Sequence, residues 1–166
     1  MTRREERDSI VRIVFRKAFY PSNKTDKTDK TDEMKAQTED YLQLLTEEPG
    51  VILPSLKEEP AEEDKEYIRD KVDKILAVLP ELDKAIESAS VDWKISRIGK
   101  MELSILRVAT YEIRFDEDIP NKVAVNEAIE LAKVYCDESA PAFINGVLNK
   151  LLVSETAQDT ENNSEA

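Results

Sequence analysis

The chain has 166 residues, of which 40% are hydrophobic, and its formal net charge is −12. This length suits one domain, and the low glycine content, three residues, argues for helices and against an all-β fold. The chain has no histidine, one cysteine and no glycine-rich phosphate loop, so we expect neither an enzyme nor a metal or cofactor site.

The N-terminal residues 3–20 have the spacing of an amphipathic helix that stops before Pro21. Its apolar arc consists of Ile10, Val11, Val14, Phe15, Ala18 and Phe19. Six of the 24 basic residues of the chain lie within its first 17 positions. On a helical wheel, three of them fall beside the apolar arc and three on the opposite side, which we expect to face solvent. The first three are Arg3, Arg4 and Arg7, and the second three are Arg12, Arg16 and Lys17.

Two interpretations of Arg3, Arg4 and Arg7 stay open at this point. Cations at a helix N-terminus oppose the helix dipole by up to about 1 kcal/mol each, which favours a role in binding an anion such as phosphate. Alternatively, Arg3 pairs with Glu6 and Arg4 with Asp8, as in an ordinary charged helix end. Residues 1–20 contain six bases and three acids, so any contact with nucleic acid must be local in this acidic chain.

The next segments alternate between polar connections and helices. The repeat KTDKTDKTD at 24–32 has no apolar residue, so we predict a flexible loop over about 22–33. A helix is expected from Met34 to the turn at Pro49-Gly50. Two further helices are expected on either side of Pro80, which cannot continue a helix in the usual way.

The region after Asp92 is richer in apolar residues and predicts the central helices of the core. Within it, we expect Arg107 to pair with an acid such as Glu112 or one on a neighbouring helix. Pro120 suits the start of one helix, and Ser139 can cap the last one, which runs through Leu152.

The C-terminal residues 154–166 include four acids and no base, and they are predicted to form a disordered tail after a domain at 1–153. No run of about 18 apolar residues and no secretory signal is present. We therefore expect a soluble cytoplasmic protein without a membrane partner.

Three segments of the C-terminal part of the chain are distinctive: ILRVATYEI at 105–113, DIPNKVAVNEAIELAKVY at 118–135 and FINGVLNKL at 143–151. Together they resemble the NusB family of transcription antitermination factors. In the first helix, Arg7-Asp8 stands where the family usually has Arg-Glu. The resemblance covers about residues 2–20 and 92–152.

This resemblance implies an all-α fold, a compact bundle of about seven helices in two subdomains. It also implies binding of the boxA element of nascent ribosomal RNA, which is single-stranded, together with a small-subunit ribosomal protein. The pair would act within an antitermination complex on RNA polymerase. The alternative is a helical protein-protein interaction module without RNA affinity.

The resemblance further assigns site residues, with one departure from the family pattern. RNA contacts are implied for Arg3, Arg4, Arg7, Glu138, Ser139 and Phe143. Glu102 falls where the family presents an acid to the ribosomal protein. Counting back from Phe143, the common Glu-Asp-Ser falls on Glu138-Ser139-Ala140, and similar chemistry stands one residue earlier as Asp137-Glu138-Ser139.

Overall fold

The computed structural model describes the backbone of residues 1–19, 27–91 and 93–164, and the side chains in these ranges except those of 27–32 and 156–164. Throughout these ranges the chain is helical without a strand, which confirms the predicted all-α class. The α-helices are α1 (Arg3–Lys17), α2 (Lys27–Glu47), α3 (Pro49–Ile52), α4 (Glu62–Ala77), α5 (Leu79–Ala89), α6 (Lys100–Phe115), α7 (Asn121–Tyr135) and α8 (Ala140–Ser164). A 3₁₀ turn at Ile95–Arg97 precedes α6. Seven of these helices match expected ones, and the additional one is the short α3.

The chain divides into two compact units, Met1–Ala77 and Val78–Ala166, in agreement with the expected two subdomains. In the first unit, α1 packs against α4 and also against α2. The fully buried side chains of this core include Ile10, Val11, Ile13, Val14, Leu45, Ile68, Val72 and Ile75. Since each such side chain contributes about 1.5–3 kcal/mol on burial, packing rather than helix propensity holds α1 in place.

The first helix is shorter than predicted at its C-terminus. α1 ends at Lys17 rather than at residue 20, and Phe19, which we placed on the apolar arc, is 52% exposed. Phe19 instead meets Phe15 edge to face, with the ring centroids 4.9 Å apart. The arc is therefore fully buried only as far as Val14, and Phe15 and Ala18 are half-buried.

The second helix begins earlier than predicted and corrects the expected loop. α2 starts at Lys27, so the backbone of 27–33 is helical, while residues 22–26 of the predicted loop lie outside the described residues. The physical reason lies in the sequence, which has no glycine or proline between Pro21 and Pro49. A helix nucleated by buried residues such as Met34 can extend upstream through polar residues at low cost.

In the second unit, α6 is the central helix and packs against α5, α7 and α8. Ten consecutive residues of α6, from 103 to 112, are buried. Pro80 lies in the first turn of α5, and Pro120 immediately precedes α7, so both prolines separate helices as predicted. Prolines suit these positions because the first turn of a helix has no intrahelical partner for its amides.

The last helix continues into the segment predicted to be a disordered tail. α8 runs to Ser164, which corrects that prediction for the backbone of 154–164, while residues 165–166 lie outside the described residues. The Arg114 Nε atom lies 2.7 Å from Glu155 Oε1, so the first turn of the extension is tied to α6. The absence of glycine and proline after Pro141, apart from Gly146, allows the helix to propagate.

Arg107 of α6 pairs with an acid on a neighbouring helix, as the sequence indicated. Its Nε and Nη2 atoms donate to the two carboxylate oxygens of Asp83 on α5, at 2.8 and 2.9 Å. The Arg107 side chain is only 9% exposed. The bidentate geometry satisfies a guanidinium that would otherwise be buried without a counter-charge.

We predict that Asp83→Ala lowers the free energy of unfolding by about 1.5–3 kcal/mol, because it leaves the Arg107 guanidinium without this acceptor. Urea denaturation followed by circular dichroism measures the change. Glu87→Ala is the matched control, since Glu87 lies one turn further along α5 and is exposed. The control should change stability by less than about 0.5 kcal/mol, and equal effects of the two substitutions would contradict the role of the ion pair.

Candidate nucleic-acid and partner interface

The N-terminus of α1 is fixed by a reciprocal capping box. The Glu5 amide donates to the Thr2 hydroxyl at 3.2 Å, and the Thr2 amide donates to the Glu5 carboxylate at 2.8 Å. The hydrogen bond from the Thr2 amide, with help from the Ser55 hydroxyl, holds the pKa of Glu5 below its usual value. These bonds, with acidic Glu5 and Glu6 in the first turn, offset the unfavourable placement of arginines there.

Two of the three predicted RNA-binding arginines are exposed at this capped end. The Arg3 guanidinium lies 4.2 Å from the centroid of the Tyr67 ring on α4, and its Nη1 atom is 2.8 Å from Glu6 Oε2. The Arg3–Glu6 ion pair of the ordinary interpretation is therefore present. The Arg3 side chain is nevertheless 69% exposed, and Arg4 beside it is exposed as well. Both guanidiniums can be reached from solvent.

Arg7 differs from Arg3 and Arg4 because it is only 7% exposed. Its neighbour Glu6 is 4% exposed, and burial raises the pKa of that carboxyl although Arg3 opposes the shift. Arg7 thus lies at the inner edge of the cluster and offers little of its surface to a ligand. Its contact with RNA stays a prediction.

The prediction that Arg12 and Arg16 face solvent is wrong. Arg12 is hydrogen-bonded to the Asp8 carboxylate and to the Ile52 carbonyl oxygen, each at 2.8 Å. Arg16 donates to the Gln37 carbonyl oxygen at 3.3 Å and lies 5.5 Å from the Tyr41 ring centroid. The physical reason is that α1 is covered on more than one side, so the face opposite α4 also meets neighbours.

A groove of about 430 Å³ in the second unit brings together several of the other predicted site residues. It is lined by Trp93, Arg97, Ile98, Gly99, Glu102, Asp137, Ser139, Ala140 and Phe143. Ser139 and Phe143, predicted to contact RNA, thus share one surface with Glu102, predicted to contact the protein partner. Glu138 is exposed in the adjoining loop but does not line the groove.

The altered acidic motif before α8 forms a cap that differs from the predicted one. Asp137 Oδ1 accepts hydrogen bonds from the Ser139 hydroxyl at 2.7 Å, the Ser139 amide at 3.0 Å and the Ala140 amide at 3.1 Å. The Ser139 hydroxyl lowers the pKa of Asp137 most, followed by the Ser139 amide. Asp137 therefore takes the capping role that we expected of Ser139, because its carboxylate accepts several donors at once.

The position of the Glu102 carboxylate depends on two neighbours. A Cβ atom added to Gly99 would collide with this carboxylate, so the glycine leaves the space that it occupies. On another side, the Cys136 thiol lies close to Glu102. Burial raises the pKa of Cys136 to about 12, and the charge of Glu102 adds to the shift. Cys136 is half-buried.

Trp93 and Arg97 are among the lining residues that sequence reasoning missed. Trp93 is 50% exposed, and its ring meets that of Phe143 at 74° with the centroids 6.5 Å apart. The sequence contained a usable indication: Trp93 is the one tryptophan of the chain, and it lies directly before Lys94 and close to Arg97. An aromatic residue interleaved with cations is typical of nucleic-acid surfaces.

Two classes of site receive no support from the described residues. Among the described side chains, those of 1–19, 33–91 and 93–155, no cluster of three or more Cys, Asp or Glu residues is arranged to hold a metal ion. In the same part of the chain, every helix is too short or too polar to cross a membrane.

Comparison with known proteins places these features in a family. The model of the NusB family matches residues 4–152. A protein of Lachnoclostridium phytofermentans named transcription antitermination protein NusB is 40% identical over 152 residues, which cover 92% of this chain and 99% of that protein. One of the same name from Agathobacter rectalis is 37% identical over 150 residues, covering 90% of this chain and 98% of the relative.

Solved structures of NusB proteins have the same fold. The structure of T. maritima NusB is 26% identical, with a TM-score of 0.70 over 91% of this chain and 90% of that one. A structure described as antitermination factors NusB and NusE in complex with dsRNA matches with a TM-score of 0.66 over 93% and 99% of the two chains. At 23% identity, the second likeness shows the fold alone. The family match over residues 4–152 and the close relatives show that the chain belongs to the NusB family.

Proposed function

We propose that the protein is a transcription antitermination factor that binds single-stranded boxA RNA of nascent ribosomal transcripts together with a small-subunit ribosomal protein. It would act without catalysis, as part of an antitermination complex on RNA polymerase. The observation that carries the proposal is the pair of exposed guanidiniums, Arg3 and Arg4, on a capped helix N-terminus in a chain of net charge −12. The names of the relatives support the role in antitermination.

The RNA surface in the first unit acts through charge. The exposed Arg4 and the solvent-facing part of Arg3 can donate to phosphate oxygens, and the positive end of the α1 dipole adds to the attraction. Arg3 must exchange its bond to Glu6 for one to phosphate, whereas its cation–π contact with the Tyr67 ring holds the guanidinium near α4. Arg7, being buried, contributes to the local potential and to the position of the helix.

The second unit contributes Ser139, Glu138 and Phe143 to RNA binding. The half-buried Phe143 ring offers an apolar face to an unstacked base, and the Ser139 hydroxyl lies at the rim of the same groove. Glu102 in this groove provides the negative charge for the ribosomal protein, because ribosomal proteins carry many basic residues. The proximity of Glu102 to Phe143 supports RNA and partner meeting at adjoining surfaces.

We predict that Arg4→Ala lowers affinity for boxA-type RNA by a few-fold to about tenfold and lowers the salt slope of binding by about 0.7, because one phosphate contact is lost. Fluorescence anisotropy of labelled RNA at several salt concentrations, with and without the ribosomal protein, measures both quantities. Lys35→Ala on α2 is the matched control, since Lys35 is an exposed cation away from the capped end of α1.

The control should leave affinity and salt slope within error of the parent protein. Equal losses for Arg4→Ala and Lys35→Ala would indicate a general charge effect and reject the arginine edge. If no salt-sensitive RNA binding occurs even with the ribosomal protein, the RNA assignment itself is wrong. The alternative, a helical protein-protein interaction module, would then be correct.

We predict that Glu102→Lys weakens binding of the ribosomal protein at least tenfold without changing the helical circular dichroism spectrum, because it replaces the carboxylate by a cation facing a basic partner. Gly99→Ala should weaken binding by a smaller factor, because its Cβ displaces the same carboxylate. Isothermal titration calorimetry gives the dissociation constants.

Glu87→Lys, an equal charge change on an exposed residue outside the groove, is the control. Unaltered binding by folded Glu102→Lys would remove Glu102 from the interface.

A further inference from the structure

The groove in the second unit exposes an aromatic ring that the proposed contacts do not use. Trp93 precedes the 3₁₀ turn, and half of its surface is accessible to solvent. Its indole meets the Phe143 ring nearly at a right angle, with 6.5 Å between the centroids. Two aromatic rings at 74° form a corner, and the groove of about 430 Å³ opens beside them.

Basic residues are concentrated near Trp93 in the sequence, although the chain as a whole is acidic. The segment 93–100, WKISRIGK, contains three bases and no acid. Lys94, Arg97 and Lys100 are all exposed, and Arg97 lines the groove directly. Positive charge beside an accessible aromatic ring is the combination by which proteins hold single-stranded nucleic acids, with cations on the phosphates and rings on the bases.

We propose that Trp93 and Arg97, with Phe143, form a binding subsite for one unpaired nucleobase of single-stranded RNA. The base stacks on Trp93, and Lys94 and Arg97 bind the flanking phosphates. This subsite rests on the proposed function and adds to it residues of the 93–97 segment. The subsite attracts RNA to the second unit. This attraction offsets the repulsion between the RNA phosphates and the carboxylates of Glu102 and Asp137, which line the same groove.

The angle between the rings limits the subsite to a single base. A base lying parallel to the indole presents its edge to Phe143, since the two rings are nearly perpendicular. A sandwich between both rings would require them to be parallel, so only one stacking interaction forms. Stacking does not read hydrogen-bond donors or acceptors, and the subsite therefore accepts any base that is free of a duplex.

Because the chain contains one tryptophan, its intrinsic fluorescence reports on this site without a label. The experiment titrates the full-length protein with boxA-type single-stranded RNA, and separately with the same RNA annealed to its complement. We expect the single strand to quench the fluorescence of Trp93. The duplex carries more phosphate charge but hides its bases, so we expect it to leave the fluorescence unchanged.

Substitutions separate stacking from folding. Trp93→Leu should lower RNA affinity between about fivefold and a hundredfold in anisotropy measurements, whereas Trp93→Phe, which keeps a ring, should lose much less. Arg97→Ala should lower both the affinity and the salt slope. Phe115→Leu is the matched control, since Phe115 is another partly exposed aromatic residue of the second unit and does not line the groove. It should bind RNA as the parent protein does.

The outcomes distinguish this inference from the proposed function. If anisotropy shows RNA binding while Trp93 fluorescence stays constant and Trp93→Leu binds normally, the subsite is wrong and the proposed function stands. If the ribosomal protein alone changes the fluorescence and RNA does not, the groove is a protein surface and the subsite is again wrong. If no RNA binds under any condition, both proposals fail. Equal losses for Trp93→Leu and Trp93→Phe would also overturn stacking as the mechanism.

Discussion

The amides in the first turn of an α-helix have no partners within the helix and need hydrogen-bond acceptors from outside it. In this chain, the side chains that accept these bonds at α1 and α8 also position the residues of the two candidate RNA surfaces. At α1, Thr2 and Glu5 cap each other, and this holds the turn from which Arg3 and Arg4 reach solvent. At α8, Asp137 accepts three hydrogen bonds and fixes the turn that leads to Phe143. Each predicted RNA-contacting group therefore lies within a few residues of a capped N-terminus, where the dipole already favours an anion.

Packing explains why the six basic residues of α1 have different roles. A helix at the edge of a domain buries one face, but α1 contacts both α4 and α2, and so fewer of its positions face water. Arg12 and Arg16 consequently bind carbonyl oxygens of the first unit, and their charge stabilises the fold rather than attracting a ligand. The distinction that matters for RNA is thus the exposure of each guanidinium, which is high for Arg3 and Arg4 at the capped end and lower for Arg12 and Arg16.

The sequence allowed most of the helices to be predicted, because prolines and apolar periodicity act locally. Pro80 and Pro120 lie at helix starts, as their local chemistry predicts. The family motifs indicated Phe143 and Glu102, which line one groove and whose roles stay predictions. The continuation of α2 into the KTD repeat and of α8 past Val153 could not be predicted in this way. Both extensions are polar, and their helicity depends on a nucleus formed elsewhere by burial. The contacts of Arg12 and the exposure of Trp93 likewise depend on which helices pack together, and residue spacing along one helix does not contain that information.

The overall charge constrains how such a protein can hold RNA. A net charge of −12 repels a polyanion at long range, so attraction must come from short segments in which acids are scarce. The segment 93–100 is such a place. The start of α1 is another, because its two acids already have partners: Glu5 accepts a hydrogen bond from the Thr2 amide, and Glu6 pairs with Arg3. Few phosphate contacts then provide only part of the affinity, and the remainder must come from other contacts. Base stacking on an exposed ring, which salt screens little, and a basic protein partner, which adds cations, are two such sources, and the groove that contains Trp93 and Glu102 provides for both.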